Sequence, residues 1–366
     1  MSRLYFFGIV SAILIAISYI TARSYSVGLR LDTVTTRIMY IVFFIIPILF
    51  VGSIILARDG TVGATLYREI QIIAGVGLYV FLGAVLLSVC LIIAKLAGVL
   101  FPVWGALIIL FISLTLATLG FVQARHIKVT RYSVTLPDAP VSWNDQTAVL
   151  VSDTHLGLIN YRQFSDKIVD AIIALDPDFV LHAGDFYDGP SIDTAPLTAS
   201  WQRLTATTPV FMAPGNHEEY GNYAGFLDSL RAAGITVLDN NVTSLDGVQI
   251  AGITYHSGTE APAARDALIA LSLDTTAPTI LINHPPTALS AASSVGVDLQ
   301  VSGHTHNGQL WPIKYLVRRI YGKYTYGLQP YEQMNVITTS GVGTFGPPFR
   351  LGNTPELVLI TFNPTK

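Results

Sequence analysis

Cysteine is almost absent from this chain of 366 residues, since Cys90 is its one representative. Cys90 lies inside a long apolar stretch, so it can form no intrachain disulfide and it supplies no thiolate to the polar part of the chain. A disulfide framework and a cysteine-ligated metal site are therefore excluded.

Charged residues are also scarce. They make up 12% of the chain, and 21 Lys and Arg against 24 Asp and Glu give a net charge of -3. With a pI near 6.2, nothing indicates nucleic acid as a partner. A mean hydropathy of +0.52 and 51% apolar residues depart from the composition of soluble enzymes, which indicates a membrane region.

Four apolar stretches without an internal charge account for this excess. Each has roughly 18 to 25 residues, which as a helix is enough to cross ~30 Å of hydrocarbon. Buried core helices seldom run this long without polar residues, and a cleaved signal peptide would explain only the first stretch. The sequence predicts an all-α transmembrane region at residues 1–123, with helices at about 4–21, 38–57, 70–94 and 99–122.

The flanking charges favour one orientation. Four spans would place both ends of this region on the same side of the membrane. Six Lys and Arg residues flank the spans on that side and four flank them on the other, which favours a cytoplasmic C-terminal region. The first group is Arg3, Arg58, Arg68, Arg125, Lys128 and Arg131, and the second is Arg23, Arg30, Arg37 and Lys95. We therefore expect an integral protein of the plasma (inner) membrane.

The composition becomes mixed at about residue 124. From there, strand-like runs such as Thr147 to Val151 alternate with runs of helical spacing such as Arg162 to Leu175. Strands and helices that take turns are typical of an α/β domain. We expect such a domain over residues 124–366.

Polar side chains follow five short apolar runs of this region, each where a strand is predicted to end. In α/β proteins this is where active sites lie. Taken singly these motifs are weak, because a lone histidine after a strand is more often part of the core. The five segments are Asp153-Thr154-His155, Gly184-Asp185, Gly215-Asn216-His217-Glu218, Asn283-His284 and Gly303-His304-Thr305-His306.

The order of the five segments is specific. Asp-x-His, Gly-Asp-x-x-Asp, Gly-Asn-His-Glu, a single His and Gly-His-x-His follow one another as in the calcineurin-like metallophosphoesterases, which residues 124–366 resemble. The continuation Asn307-Gly308-Gln309 and the tail Pro348-Phe349-Arg350 look like the membrane-attached branch of predicted phosphohydrolases. The resemblance implies a two-sheet β-sandwich flanked by helices, in an α/β/β/α order.

The residue types fit that chemistry without the family. Carboxylate, amide and imidazole groups suit divalent ions such as Mn, Fe or Zn. Two such ions against two aspartates leave a positive site, which suits an anionic phosphoester and lowers the pKa of a bound water. The resemblance implies that Asp153, His155 and His306 hold one ion, that Asn216, His284 and His304 hold the other, and that Asp185 bridges both.

His217 is left without a metal, and the resemblance makes it the residue that stabilises the transition state or protonates the leaving oxygen. Asp188 matches the carboxylate that orients this histidine in phosphoprotein phosphatases. Those enzymes have arginine next, and this chain has Gly189, so a phosphoprotein substrate is disfavoured.

The segment from Trp311 to Tyr326 mixes aromatic, apolar and basic residues directly after the last motif. Two readings stay open: a membrane-interface element, or an ordinary helix that covers the sandwich.

The function that follows is a membrane-anchored dinuclear-metal phosphohydrolase, in which a metal-bridging hydroxide attacks a phosphoester or pyrophosphate. Its expected partners are a phosphorylated substrate, such as a phospholipid or a nucleotide-linked lipid, and the lipid bilayer. The alternatives are a transporter or channel with an appended regulatory phosphoesterase domain, and a non-catalytic metal-binding scaffold. Intramembrane ionisable residues would favour a transporter, and the four stretches contain none.

Overall fold

The computed structural model describes residues 3–58, 61, 63–189 and 192–364, and the chain divides into two units. The first contains residues 1–122 together with 346–349, and the second contains residues 123–345 and 350–366.

The first unit is built from apolar helices. Three of them are long and apolar enough to cross a membrane, over Thr33–Ala57, Ala64–Leu96 and Val103–Gln123. Among the described residues, the apolar part of the first helix is the shorter Ala12–Gly28. The predicted N-terminal apolar helices are thus confirmed, as three candidate spans and a shorter one. The helices are α1 (Arg3–Gly28), α2 (Thr33–Arg58), α3 (Ala64–Leu96) and α4 (Val103–Gln123).

Small side chains let these helices approach one another. Ala84 and Ala106 are fully buried, and the hydroxyls of Ser24 and Ser88 lie 2.6 Å apart between α1 and α3. Such contacts hold membrane helices together where lipid removes the hydrophobic driving force. Residues 346–349 belong to this unit, and the Phe349 ring lies 5.5 Å from that of Phe121.

The second unit contains two six-stranded sheets and a short two-stranded one. The first sheet has the order β1-β14-β2-β4-β6-β7, the second β12-β13-β11-β10-β9-β8, and β3 pairs with β5. The strands are β1 (Lys128–Leu136), β2 (Thr147–Val151), β3 (Leu156–Gly157), β4 (Phe179–His182), β5 (Tyr187–Asp188), β6 (Val210–Met212), β7 (Thr236–Val237), β8 (Asn241–Leu245), β9 (Val248–Ile253), β10 (Thr279–Asn283), β11 (Leu299–Ser302), β12 (Gly327–Tyr331), β13 (Met334–Thr338) and β14 (Glu356–Pro364).

Both sheets are mixed. In the first, β2, β4, β6 and β7 run parallel, whereas β14 pairs antiparallel with β2. In the second, β9, β10, β11 and β13 run parallel and the outer strands β8 and β12 are antiparallel. Each sheet therefore presents the carboxyl ends of several neighbouring strands at one edge.

Helices cover the outer faces of both sheets. They are α5 (Arg162–Ile173), α6 (Ala195–Thr205) and α8 (Tyr223–Ala232) on the first sheet, and α10 (Ala261–Ala270) and α11 (Leu289–Ser294) on the second. The remaining α-helices of this unit, among the described residues, are α7 (Asn216–Tyr220), α9 (Tyr255–Thr259) and α12 (Lys314–Tyr321).

The core lies in three layers. Between the sheets, Leu150 and Phe179 of the first pack with Ile280 and Val301 of the second. A second apolar cluster joins the first sheet to α5, α6 and α8, and a third joins the second sheet to α10 and α11. The predicted α/β fold, a two-sheet sandwich flanked by helices, is confirmed.

Candidate metal centre

The five polar segments lie where five strands end. Asp153 and His155 follow β2, Asp185 follows β4, Asn216 begins α7 after β6, His284 follows β10, and His304 and His306 follow β11. Strands of both sheets thus deliver side chains to one place, as expected for the carboxyl edge of parallel strands.

The backbone at these positions is unusual. A left-handed conformation is found at Asp153 (φ 54°), His155 (φ 44°), Asp185 (φ 53°), His304 (φ 67°) and His306 (φ 47°). A residue with a Cβ adopts this region rarely and at a cost, and such residues gather at functional sites. The strand ends are therefore bent to turn these side chains into a shared space.

Two glycines make room for this arrangement. A Cβ on Gly303 would overlap Ser152 and Asp153, and a Cβ on Gly215 would overlap the Asp185 carboxylate. The glycines of the motifs thus permit close approach between neighbouring loops.

Three groups of possible ligand atoms result, and within each group the atoms lie no more than 4.8 Å apart. The groups share Asp185 and His155, so they form one continuous cluster. They are Asp153 with His155 and His306, Asp185 with His284 and His304, and His155 with Asp185 and His217.

In the first group, His155 Nε2 lies 3.1 Å from His306 Nε2 and 3.9 Å from Asp153 Oδ1. His306 Nε2 lies 3.4 Å from the same aspartate oxygen. In the second, Asp185 Oδ2 lies 3.1 Å from His284 Nε2, which is 3.2 Å from His304 Nδ1. Asp185 Oδ2 also lies 3.8 Å from His155 Nε2, so its carboxylate faces both groups.

These residues fit divalent ions. Nitrogen and oxygen ligands bind such ions at about 2.1 Å, which leaves neighbouring donors roughly 3 Å apart. Oxygen and imidazole donors without a thiolate suit Mn, Fe or Zn. Asn216 Oδ1 is buried without a hydrogen-bond partner among the described residues, as a carbonyl reserved for a ligand would be.

Burial lowers the pKa of three imidazoles of the cluster. Burial lowers the pKa of His155 to about 4 and that of His304 to about 3, and it holds the pKa of His306 well below its ordinary value. These rings are neutral near pH 7, and a neutral ring has the lone pair that a metal ion binds.

The two aspartates of the cluster, Asp153 and Asp185, differ in the direction of their pKa shifts. Burial raises the pKa of Asp153 to about 6, against the opposing effect of His284. Burial also raises the pKa of Asp185, but His284, His217 and His155 outweigh it and hold that pKa well below its usual range. Asp185 is therefore the persistent negative charge of the cluster.

His217 is paired on the side away from the cluster. Its Nδ1 lies 3.1 Å from Asp188 Oδ1, and its backbone N–H donates to Asp185 Oδ1 at 2.8 Å. Its ring centre lies 4.5 Å from that of His155. Burial lowers the pKa of His217, but the hydrogen bond to Asp188 and the charge of Asp185 raise it to about 9. The protonated ring thus faces the cluster.

Glu218 is a residue whose role the sequence did not reveal. Its carboxylate is fully buried and accepts backbone N–H bonds of 2.9–3.0 Å from Asp185, Phe186, Tyr187 and Gly215. One side chain therefore fixes the loops after β4 and β6, and its place in the Gly-Asn-His-Glu segment was the available signal.

Arg350 belongs to the tail motif, which does not predict its role. It is fully buried, and its guanidinium donates to the carbonyls of Gly341 and Gly343 at 3.2 and 3.1 Å. It also contacts His306 Nδ1 at 3.2 Å, on the side of the ring opposite the cluster. Its charge adds to the effects that keep His306 unprotonated.

Four aromatic side chains surround the cluster, and we call them the aromatic rim. Phe345 lies 5.2 Å from the His217 ring and Tyr220 6.2 Å from it, measured between ring centres. Tyr255 and Tyr321 lie 5.4 and 6.1 Å from the His304 ring. Phe345 and Tyr220 are 56% and 68% exposed, so they are available to a bound molecule.

Comparison with known proteins agrees with this geometry. Residues 147–308 match the family model Calcineurin-like phosphoesterase. An uncharacterised metallophosphoesterase of Campylobacter jejuni is 30% identical over 229 residues, covering 61% of this chain and 60% of that protein. A Danio rerio protein named transmembrane protein with metallophosphoesterase domain is 30% identical over 269 residues, covering 69% of this chain and 61% of that protein.

Among solved structures, the NAD nucleotidase of Haemophilus influenzae has 17% identity and a TM-score of 0.31, over 59% of this chain and 44% of that chain. The chain spans 60% and 61% of the lengths of the two relatives named above. From the family match and these relatives, the chain contains a calcineurin-like metallophosphoesterase domain and is similar to membrane-attached members of that family.

Proposed function

We propose that this protein is a membrane-anchored dinuclear-metal phosphohydrolase whose catalytic domain is formed by residues 124–366. The observation that carries the proposal is the continuous cluster in which the Asp185 carboxylate faces two groups of donors. One aspartate between two groups is the arrangement by which a pair of ions about 3.5 to 4 Å apart is held.

In this proposal seven residues hold two ions, of which Mn, Fe or Zn fit best. When bound, the ions would polarise phosphoryl oxygens and lower the pKa of a water near neutral pH. The ligands are Asp153, His155 and His306 for one ion, Asn216, His284 and His304 for the other, and Asp185 for both.

His217 acts on the substrate. Its ring stands at the cluster with Asp188 behind it, which fixes its orientation and favours its protonated form. From that position it would donate a hydrogen bond to the phosphoryl group and then a proton to the leaving oxygen.

The substrate class we propose is a phosphoester or pyrophosphate attached to a lipid. The aromatic rim offers an apolar wall beside the polar cluster, and the chain carries candidate membrane spans. A pair of substrates that share one phosphoester, one with long acyl chains and one with short chains, tests this. We expect a higher kcat/KM for the long-chain member.

The test of the reaction uses the full chain in detergent with bis-p-nitrophenyl phosphate. Chelator-treated protein should be inactive and should regain turnover with Mn. Asp185→Asn should lose turnover and bind both ions more weakly, because the shared charge is removed. Asp166→Asn, a substitution on the outer helix α5, serves as the control and should behave as wild type.

Two outcomes would contradict the proposal. Near-normal turnover with two ions bound in Asp185→Asn would remove that residue from its bridging role. Full metal content with no turnover of any phosphoester by the wild-type protein would favour the metal-binding scaffold.

We also propose that the catalytic domain faces the cytoplasm, on the basis of the flanking charges. A single cysteine at Tyr220, 68% exposed, in a Cys90→Ser background allows this to be measured in intact cells. A membrane-impermeant maleimide should label it only after the cells are opened. Labelling of intact cells would place the domain outside.

A further inference from the structure

Helix α12 buries none of its side chains, although its sequence is amphipathic. Ile313, Leu316 and Ile320 lie on one stripe at helical spacing and are 43%, 61% and 65% exposed. A helix on the surface of a globular domain normally turns such a stripe to the core. Trp311, just before the helix, is also 43% exposed.

The other face of α12 is basic. Lys314 and Arg318 lie four residues apart, and with Lys323 they line a cavity of about 350 Å³ together with Tyr315 and Tyr326. In the part of the chain that the structure describes, the cavity lining contains no acidic side chain. Among the described residues, none of the three cations forms an ion pair, so their charge is available to a ligand.

We propose that α12 is a membrane-surface element whose basic cavity holds the phosphate-bearing headgroup of an anionic phospholipid. The exposed Trp, Tyr, Ile and Leu side chains have the composition that enters the interfacial region of a bilayer. The three cations complement an anionic headgroup. The same chain carries helices long and apolar enough to cross a membrane, which would tether the domain to a bilayer.

This surface lies next to the metal centre. Tyr321 of α12 belongs to the aromatic rim, and Asn307, which follows His306, lines the cavity. The inference is nevertheless independent of the proposed reaction, since it concerns lipid contact and can be measured without turnover.

The test is a fluorescent label on the apolar stripe. In a Cys90→Ser background, Leu316→Cys carries an NBD group, and Ile269→Cys on α10, 56% exposed, carries the same group as a matched control. The full-length protein is reconstituted in phosphatidylcholine vesicles with and without phosphatidylglycerol, and doxyl-labelled lipids serve as quenchers.

We expect lipid quenching at position 316 to exceed that at position 269 and to increase with phosphatidylglycerol. Equal quenching at the two positions, or no response to the anionic lipid, would overturn the proposal. A circular dichroism spectrum of each labelled protein, compared with that of the unlabelled protein, shows that the domain is folded in every case.

A charge variant identifies the ligand. Lys314→Gln, Arg318→Gln and Lys323→Gln together should abolish the response to phosphatidylglycerol, since each cation contributes about five-fold to the attraction. Arg265→Gln, an exposed arginine on α10, should leave it unchanged. A response of the label to inorganic phosphate in lipid-free detergent would instead show that the cavity serves a soluble anion, which would refute the lipid assignment.

Discussion

At the scale of single residues, His217 stands out because it is close enough to the cluster to be counted with the ligands and is also hydrogen-bonded to Asp188. Removal of a metal ligand should lower the metal content, whereas removal of a proton donor should lower only the rate. His217→Ala should keep its metal content while kcat falls by about two to four orders of magnitude, the usual contribution of a positioned acid. Metal analysis of the purified variant beside its kinetics decides this, and loss of an ion would make His217 a ligand.

Arg350 acts on the loop of residues 341–343, which lies behind the metal ligand Asp153. Its guanidinium holds the carbonyls of Gly341 and Gly343, and the Gly343 N–H donates to the backbone carbonyl of Asp153 at 2.8 Å. Groups that position a metal ligand from behind typically contribute 10- to 100-fold to metal affinity. We expect Arg350→Met to weaken the binding of one ion by about that factor. The measurement is a metal titration with a competing chelator.

Arg350→Lys is the informative companion. It keeps the charge but cannot bond to Gly341, Gly343 and His306 together, because it lacks the planar fork of donors. An affinity between those of wild type and Arg350→Met supports the positioning role. If all three proteins bound metal equally, Arg350 would have only a structural role.

The candidate metal ligands could be predicted from the sequence. Each follows the end of a predicted strand, and the order of the five motifs is specific although each motif alone is weak. Glu218 and Arg350 could not be assigned in the same way. The backbone N–H groups that Glu218 accepts from in residues 185–187 lie 31 to 33 positions away along the chain. His306 lies 44 positions from Arg350. Only the folded chain brings these groups together. The left-handed backbone at the ligands could not be predicted either, because Asp and His adopt it more often than other non-glycine residues but still only in a minority of cases.

At the scale of elements, the loop after β4 depends on α7 through Glu218. Glu218→Gln replaces one carboxylate oxygen by an amide group that cannot accept the N–H bonds, and each bond to a charged group contributes about 1.5 to 3 kcal/mol. We expect hydrogen exchange of the amides of Asp185, Phe186 and Tyr187 to accelerate, together with weaker metal binding.

Glu219→Gln is the matched control for this change. Its carboxylate accepts one hydrogen bond, from the backbone N–H of His256 at 2.9 Å, and among the described residues it forms none with either loop. Exchange at residues 185–187 should therefore equal that of wild type. Unchanged exchange in Glu218→Gln as well would mean that other contacts hold the loop.

Strands formed by a continuous apolar run were predictable, and the edge strands of the second sheet were not. The buried run 147–151 became β2 with the same limits, because continuous apolar residues indicate a strand covered on both faces. The strands β8 and β12 lie at the two edges of the second sheet, and were missed. They carry polar residues and, in β12, Pro330, which weaken the pattern. The order of strands in each sheet depends on tertiary pairing and could not be derived from the pattern.

At the scale of the whole molecule, the apolar helices are longer than the runs that predicted them. α2 begins at Thr33 and α3 at Ala64, several residues before the uncharged stretches that start at about 38 and 70. Arg37, Arg68 and Glu69 are therefore helical as well. An uncharged run in the sequence indicates the segment of a helix that can lie in the hydrocarbon core of a bilayer. The helix itself can extend beyond that segment at either end.

Strand β14 lies inside the first sheet, between β1 and β2. β14 pairs with β1 from Lys128↔Glu356 to Leu136↔Pro364, and with β2 on its other side. A chain that ends before residue 356 should still insert into the membrane, since the apolar helices remain, but should lose metal binding and turnover. Membrane fractionation and metal analysis check this, and a metal-replete truncated chain would show that β14 is dispensable.

The position of β14 also sets the order of events during synthesis. Roughly 200 residues separate the end of β2 from the start of β14, which at 5 to 20 residues per second is a delay of about 10 to 40 s. Through that interval β2 has no partner on the side that β14 will occupy, and an unpaired apolar strand edge is prone to aggregation. Asp153 and His155 follow β2 directly, so we expect the metal centre to be completed only after β14 has left the ribosome. The nascent protein therefore depends on protection of that edge before it depends on metal supply.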